Sequence, residues 1–381
     1  MASAAPSLAA LRGEARAFAR ERIAPLAGEI DRTDRLPPDV FRALGERGWT
    51  GLGLPTRYGG TGGGTRETAI VLEELARASA TVATDLSVHL SVCAAPIARW
   101  GSDAQKDRWL PGLADGTTLG AFALTEPGVG SDAAHLATRY ERGADGYVLR
   151  GSKMFITNGA SAGVIVVFAT RDPRLGARGI SAFLLARGTP GFSVAQHLDK
   201  MGLRGSETNE LVLDSARLPP AALLGTEGEG LGIALGALMG GRVGIAACAL
   251  GVAQSAYDLL RAEVAQRPDD GRRAHLARAW TELASARTLV AHAAEEKDAG
   301  RPFEIWASTA KLAASTAAVS IAQSAMEAIG PAAVVRGHPA ERILRDARVF
   351  PIVEGSTEIQ ERILGKALAT DPADGDSRSD A

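Results

Sequence analysis

The order of hydropathy patterns along the 381-residue chain predicts an α+β fold in three parts: an N-terminal helical domain, a middle antiparallel β domain and a C-terminal helical bundle. Apolar residues recur at helical spacing from Leu8 to about Gly116. Around Thr118 the pattern changes to short runs rich in branched and aromatic residues, separated by Gly, Asn, Asp or Pro. From Gly230 to about Lys366 the helical period returns in long segments suited to a bundle. These readings place the parts at 1–117, 118–226 and 227–370, with a polar, disordered tail over 371–381.

Within the first part, Leu8, Leu11, Ala15 and Phe18 mark an amphipathic helix that Ser7 can cap, so the Ala- and Arg-rich start reads as a helix rather than a transit peptide. Pro37-Pro38 opens another helix, continued by Val40, Phe41, Leu44 and Trp49. The run Gly59-Gly60-Thr61-Gly62-Gly63-Gly64 follows no strand and lacks the dinucleotide fingerprint, which leaves a flexible turn. Helices are expected over Ala69 to Arg77, Thr84 to Arg99 and Ser102 to Leu113. Strands are expected at Tyr147 to Leu149, Met154 to Ile156, Val164 to Phe168, Ile180 to Leu185, Phe192 to Val194 and Glu210 to Leu213. They do not alternate with helices, which disfavours a doubly wound nucleotide fold. Gly228-Glu229-Gly230-Leu231-Gly232 opens a long helix instead of a phosphate loop. The apolar run Gly230 to Gln254 is broken by Arg242 and many glycines and reads as a buried helix, not a membrane span.

Composition narrows the function classes. Hydrophobic residues make up 46% and charged residues 23%, with net charge -2, which gives no electrostatic reason to expect nucleic acid or an anionic membrane as partner. Cys93 and Cys248 show no CxxC or metal spacing, and a reducing cytoplasm fits. No G-x-S-x-G elbow occurs, and none of the histidines at 89, 135, 197, 275, 292 and 338 has a triad or metal-ligand pattern, so each reads as surface or core.

The stretch with the most chemical content is Arg345 to Gln360, centred on Glu354. Val349, Phe350, Ile352 and Val353 precede the acid, Gly355 lets the backbone approach a ligand, and the hydroxyls of Ser356 and Thr357 can cap the next helix. Partial desolvation of Glu354 would make it a base near neutrality. The plainer reading is a first-turn acid facing water.

Together with Ala121 to Asp132 (AFALTEPGVGSD) and Lys153 to Gly159 (KMFITNG), that stretch resembles the acyl-CoA dehydrogenase family from about Leu8 to Leu368. The resemblance implies FAD between the β domain and the bundle, and an acyl-CoA thioester between flavin and base. It makes Glu354 the acid that takes the α-proton, and its own N–H a donor to the thioester carbonyl. Phe122, Leu124 and Thr125 would bond the polar edge of the flavin, Phe155 would pack on its ring and Thr157 would face N5. Ser356, Thr357 and Glu358 carry over as further cofactor contacts, and Ser131, Arg242 and Gly355 as substrate contacts. Read without the family, Phe155 is a core residue, Ser131 a turn residue and Arg242 the partner of a buried acid. Some relatives carry the base just before the arginine, but Gly241 stands there. The implied electron acceptor is an electron-transfer flavoprotein. A carrier-protein-tethered acyl or aminoacyl substrate and a non-catalytic subunit of a heteromeric dehydrogenase are the rival readings.

The sequence departs from the family where loops reach a partner's FAD. Gln266 to Arg273 (QRPDDGRR) stands for R-x-Q-F-G, and Gly330-Pro331-Ala332-Ala333 for G-G-x-G. Pro331 has no N–H, Ala332 and Ala333 add Cβ atoms, and Asp269 and Asp270 would repel a diphosphate. Both a heteromer with a paralogous subunit and a homo-oligomer remain open.

Overall fold

The computed structural model describes residues 7–370; the tail expected to be disordered lies outside them. The chain opens with α1 (Leu8–Phe18), whose Ser7 hydroxyl accepts from the Ala10 N–H at 3.2 Å. Helices α2 (Ala27–Thr33), α3 (Pro38–Glu46), α4 (Thr65–Ala78), α5 (Ala80–Val88), α6 (Ala95–Trp100) and α7 (Asp103–Ala114) follow. Trp49 lies beyond α3, because Gly48 takes a left-handed φ of 73° and breaks the helix. The helix expected from Thr84 to Arg99 widens into a π turn at His89–Ala94 before α6. Pro96, which cannot donate into the preceding turn, sits at the start of α6. The glycine-rich run is a packed turn: a Cβ at Gly60 would strike the Leu54 carbonyl.

The middle part is one sheet of eight strands: β1 (Gly120–Ala123), β2 (Arg139–Gly143), β3 (Gly146–Thr157), β4 (Val164–Thr170), β5 (Ile180–Ala186), β6 (Phe192–His197), β7 (Thr208–Leu218) and β8 (Leu223–Leu224). Their order is β6-β7-β3-β2-β4-β5-β8, with β1 pairing β4 off this path. The sheet is antiparallel except along β4, where β1 runs parallel in the register Phe122↔Val166 and β2 touches it parallel at Arg139↔Thr170. Strand β1 escapes a pattern reading because it consists of Gly, Ala and one Phe. The two strands expected at Tyr147 and Met154 are the ends of one strand, β3. Polar Ser152 and Lys153 keep their pairing with β7, and bulges absorb the irregularity at Leu149/Gly151 and Lys153/Ile156.

The last part is α8 (Gly230–Gln266), α9 (Asp270–Asp298), α10 (Glu304–Ile329), α11 (Pro339–Ala347) and α12 (Thr357–Thr370). The helical parts, far apart in sequence, share one core in which Leu72 and Leu75 of α4 join Val243 and Leu250 of α8, Leu283 of α9 and Ile321 of α10. The start of α8 belongs to a second core: Ile233 and Ala234 are buried there with Leu124, Val166 and Leu184 of the sheet side. Helix α8 is thus the spine joining sheet and bundle. The segments Ala80–Trp100 and Gly230–Gln266 are long and apolar enough to cross a membrane, but their apolar windows are 83% and 72% buried inside the fold.

His89 closes the joint between the first helices and the sheet. Its Nε2 lies 3.1 Å from the carbonyls of both Thr50 and Leu113, and its Nδ1 accepts the Gly120 N–H at 3.1 Å. Two carbonyls on one nitrogen and an N–H on the other define the Nε2–H tautomer. Burial lowers its pKa to about 4.

Candidate active site

Glu354 sits in the turn between α11 and α12. Phe350 is fully buried, and Val349 and Val353 pack on the helical core, but Ile352 is 66% exposed. The apolar run therefore anchors the turn on one side only. Glu354 at φ 52° and Gly355 at φ 95° are both left-handed and reverse the chain; this conformation is uncommon for a glutamate. The Gly355 carbonyl accepts from Lys311 Nζ at 2.7 Å and from Gln360 Nε2 at 3.0 Å. The same amide reaches the Glu354 carbonyl at 3.3 Å. Thr357 does not cap α12 with its side chain; its hydroxyl donates to the Pro351 carbonyl at 3.4 Å. Ser356 hydrogen-bonds the carboxylate of exposed Glu358, which helps hold that group below its usual pKa. The water-facing first-turn acid is thus Glu358.

The Glu354 backbone and stem meet some solvent, but both carboxylate oxygens are shut away from it without a hydrogen-bond partner among the described residues. The carboxylate lies against Gly241 of α8, where a Cβ would come 3.1 Å from Glu354 Cδ and closer still to Oε2. Burial pushes the pKa of Glu354 up to about 7, while the positive charges of Arg242 and Lys311 restrain the rise. Arg242 is itself buried; it donates to Ser308 Oγ at 3.3 Å and leaves its Nε unpaired. Burial lowers both cations, Lys311 to about 8, and the Glu354 charge opposes this in each. The Glu354 N–H finds no acceptor among the described residues.

The sheet supplies a second group of residues. The Met154 N–H donates to the Thr125 carbonyl at 2.9 Å, bringing the end of β1 beside β3. Phe122 is half-buried edge-on to Phe168 at 5.0 Å between centroids, and Leu124 is buried. Beneath them Lys153, with 0% exposure, donates to the Leu124 carbonyl at 3.1 Å and to Glu126 Oε1 at 2.7 Å. Glu126 also accepts the N–H groups of Ala137 and Thr138 at 2.7 and 3.0 Å. Phe155 is not a core residue: it is 65% exposed and left-handed at φ 61°, within the bulged part of β3. Thr157 ends β3, half-buried, opposite Thr208. Ser131 lies in the exposed turn after the Glu126–Val129 bridge.

One helix joins the two groups. Leu238 of α8 packs on the same core as Phe122 and Leu124, and Gly241, about one turn further, meets the Glu354 carboxylate. An exposed aromatic ring, half-buried hydroxyls at Thr125 and Thr157, and unpaired carboxylate oxygens suit a flat heteroaromatic group with a polar edge. Lys311 lies outside the stretches that the sequence singles out; Gln360, Lys153 and Glu126 stand within them but carry no role there. For Lys311 the available signal was a lone lysine on a helix face with Ala307, Ala310, Ala314 and Ala318.

The divergent loops also meet. Asp269 caps α9 by accepting the Arg272 N–H at 2.8 Å. Arg267 and Arg272 donate to the Ile329 and Ala328 carbonyls at the end of α10, at 3.2 and 3.1 Å. Val334 and Val335 beside them are exposed.

A helical–sheet–helical architecture with a buried carboxylate held against the helix that joins sheet and bundle is that of the acyl-CoA dehydrogenase class. Family models described as the acyl-CoA dehydrogenase N-terminal, middle and C-terminal domains match residues 6–117, 121–216 and 228–369, and the chain belongs to the acyl-CoA dehydrogenase family. Its members are oxidoreductases acting on CH–CH groups. The chain is 43% identical over 366 residues to an acyl-CoA dehydrogenase of Bacillus subtilis, covering 94% of this chain and 97% of that one. It superposes with TM-score 0.92 and 37% identity on butyryl-CoA dehydrogenase from Megasphaera elsdenii, covering 97% and 100% of the chains. A chain solved in work on the electron transferring flavoprotein of Acidaminococcus fermentans matches with TM-score 0.93 and 36% identity, again over 97% and 100%.

Proposed function

We propose that the chain dehydrogenates a short acyl-CoA thioester to its 2,3-enoyl product, with Glu354 as base. The observation that carries this is the Glu354 carboxylate, desolvated, without a hydrogen-bond partner and raised to about 7. Such a group is a strong proton acceptor near neutrality. Short substrates are favoured by the likeness to butyryl-CoA dehydrogenase.

FAD, when bound, supplies the acceptor for the hydride that leaves the β-carbon. Phe122, Leu124, Thr125, Phe155 and Thr157 would hold its ring and polar edge, with Ser356, Thr357 and Glu358 near its other parts. Glu354 takes the α-proton, and its N–H is available to the developing negative charge on the thioester carbonyl. One such donor is worth about 3 kcal/mol in the transition state. Arg242 favours the ionised base through its charge, and Ser131 and Gly355 would line the thioester path. The acceptor of the electrons is an electron-transfer flavoprotein in this reading, in keeping with the solved chain from that system.

Glu354→Gln tests the proposal. Bleaching of bound flavin by butyryl-CoA is expected to fall by about a thousandfold or more, with flavin content unchanged. Wild-type bleaching should rise with pH through about 7. Retained bleaching in the variant would refute the base assignment and favour the non-catalytic reading. Faster turnover on a carrier-protein thioester than on the CoA thioester would replace the substrate class. Equimolar FAD in the chain purified alone selects a homo-oligomer; flavin bound only on co-expression with a paralogue selects the heteromer.

A further inference from the structure

We propose that Lys311, aided by Gln360, is a positioning residue for the Glu354 base: it fastens the Gly355 carbonyl and holds a positive charge near the carboxylate without bonding to it. The inference rests on the reading of Glu354 as the base.

Lys311 is completely buried on α10, flanked along one helix face by Ala307, Ala310, Ala314 and Ala318. An ammonium group there is costly, and an apolar residue would pack as well or better. A buried lysine generally ends on a carboxylate. This one donates instead to the carbonyl of the residue after the base, at 2.7 Å, while the charge of Glu354 still raises its pKa. A direct ion pair would have occupied a carboxylate oxygen and depressed the base. Tethering to the neighbouring carbonyl supplies the field and leaves both oxygens unpaired for a substrate proton.

Gln360 completes the device. It is fully buried on α12, and its amide donates to the Gly355 carbonyl at 3.0 Å and the Glu354 carbonyl at 3.3 Å. A Cβ at Gly355 would run into that amide, so the turn is closed-packed against it. The left-handed φ of 52° at Glu354 is therefore maintained from both α10 and α12. The other groups facing the base are on α8: Arg242, and Cys248, whose thiol burial keeps neutral. Glu358 acts on Lys311 from the exposed side of α12.

The test uses the full chain carrying Lys311→Met, Lys311→Gln or Gln360→Leu, with Glu354→Gln as reference. The Glu354 carboxyl is followed by carbon-13 glutamate titration, as the signal missing from the reference, and in parallel by the pH profile of butyryl-CoA bleaching. Lys311→Met should move the titration and the acid limb upward together by about one unit or more and slow bleaching about a hundredfold. Lys311→Gln keeps a donor for Gly355 but no charge, so it should shift the titration equally and retain more of the rate. Gln360→Leu should slow bleaching about tenfold with the titration in place. An unmoved Glu354 titration in Lys311→Met, or in Lys311→Gln should the methionine chain fail to fold, overturns the positioning role alone. Full turnover by Glu354→Gln overturns the base assignment and the positioning role with it.

Discussion

The carboxylate of Glu354 lies in the space that a side chain at position 241 would need. The two residues are far apart in sequence, and each explains the other: Glu354 is desolvated because α8 comes close, and α8 comes close because Gly241 is bare.

Gly241→Ala should displace the carboxylate, since the new methyl carbon would arrive 3.1 Å from Cδ and nearer to Oε2. We expect single-turnover bleaching to slow about a hundredfold and thermal unfolding to report a loss of about 1–3 kcal/mol from overpacking. Wild-type rates in this variant would show that the carboxylate is placed by other contacts.

Glu354→Gln should make the protein more stable at pH 8. The folded pKa of about 7 lies above the ordinary value of 4.5, so the folded chain binds the extra proton. That contribution is complete below pH 4.5, declines as pH rises, and is gone above pH 7. Removing the acid should thus raise stability at pH 8 by about 1–3 kcal/mol, with the gain vanishing towards pH 4.5. Denaturant titrations of both chains at the two pH values decide it.

Lys153→Met removes the cation beneath Leu124 and leaves Glu126 buried without its charge partner. Breaking such a pair from one side costs about 3–5 kcal/mol. We expect lower flavin content as well, because the loop carrying Phe122 to Thr125 loses its support. Adding Glu126→Gln should recover part of the stability, since the neutral amide needs no cation and its oxygen can keep one of the two N–H bonds from Ala137 and Thr138. A double variant weaker than the sum of the single losses would contradict this coupling.

His89 should give the fold an acid limit. Its folded pKa of about 4 lies below the ordinary 6.5, so stability is full above pH 6.5 and is lost as pH falls towards 4 and beyond. His89→Ala should cost about 3 kcal/mol at neutral pH, through three backbone groups left unpaired, and should flatten the acid dependence. Unfolding midpoints measured across that range check both expectations.

The outline of the fold was legible because long helices and branched strands repeat their period over many residues. Strand β1 was not, since Gly120 to Ala123 carries almost no strand-forming side chains. The division of β3 into two arose at Gly151, which reads as a break between apolar runs in one dimension, yet Gly151, Ser152 and Lys153 keep their ladder with β7. At the site, the run around Glu354 and the Phe122, Phe155 and Thr157 stretches were visible as motifs. Lys311 and His89 were not, and Lys153 stood in its motif without a role: a polar residue inside an apolar pattern announces neither its burial nor its partner, and each partner here comes from a distant segment. Ile352 shows the reverse error, an apolar residue that the turn leaves in solvent.

Gln360 belongs to α12, yet it fastens the turn before that helix, which carries Glu354. During synthesis, sheet and bundle can be largely assembled while this clamp is still missing. A chain cut just before Gln360 would keep the sheet and α8 to α11 but present a loose acid, so α12 separates a folded product from a working one.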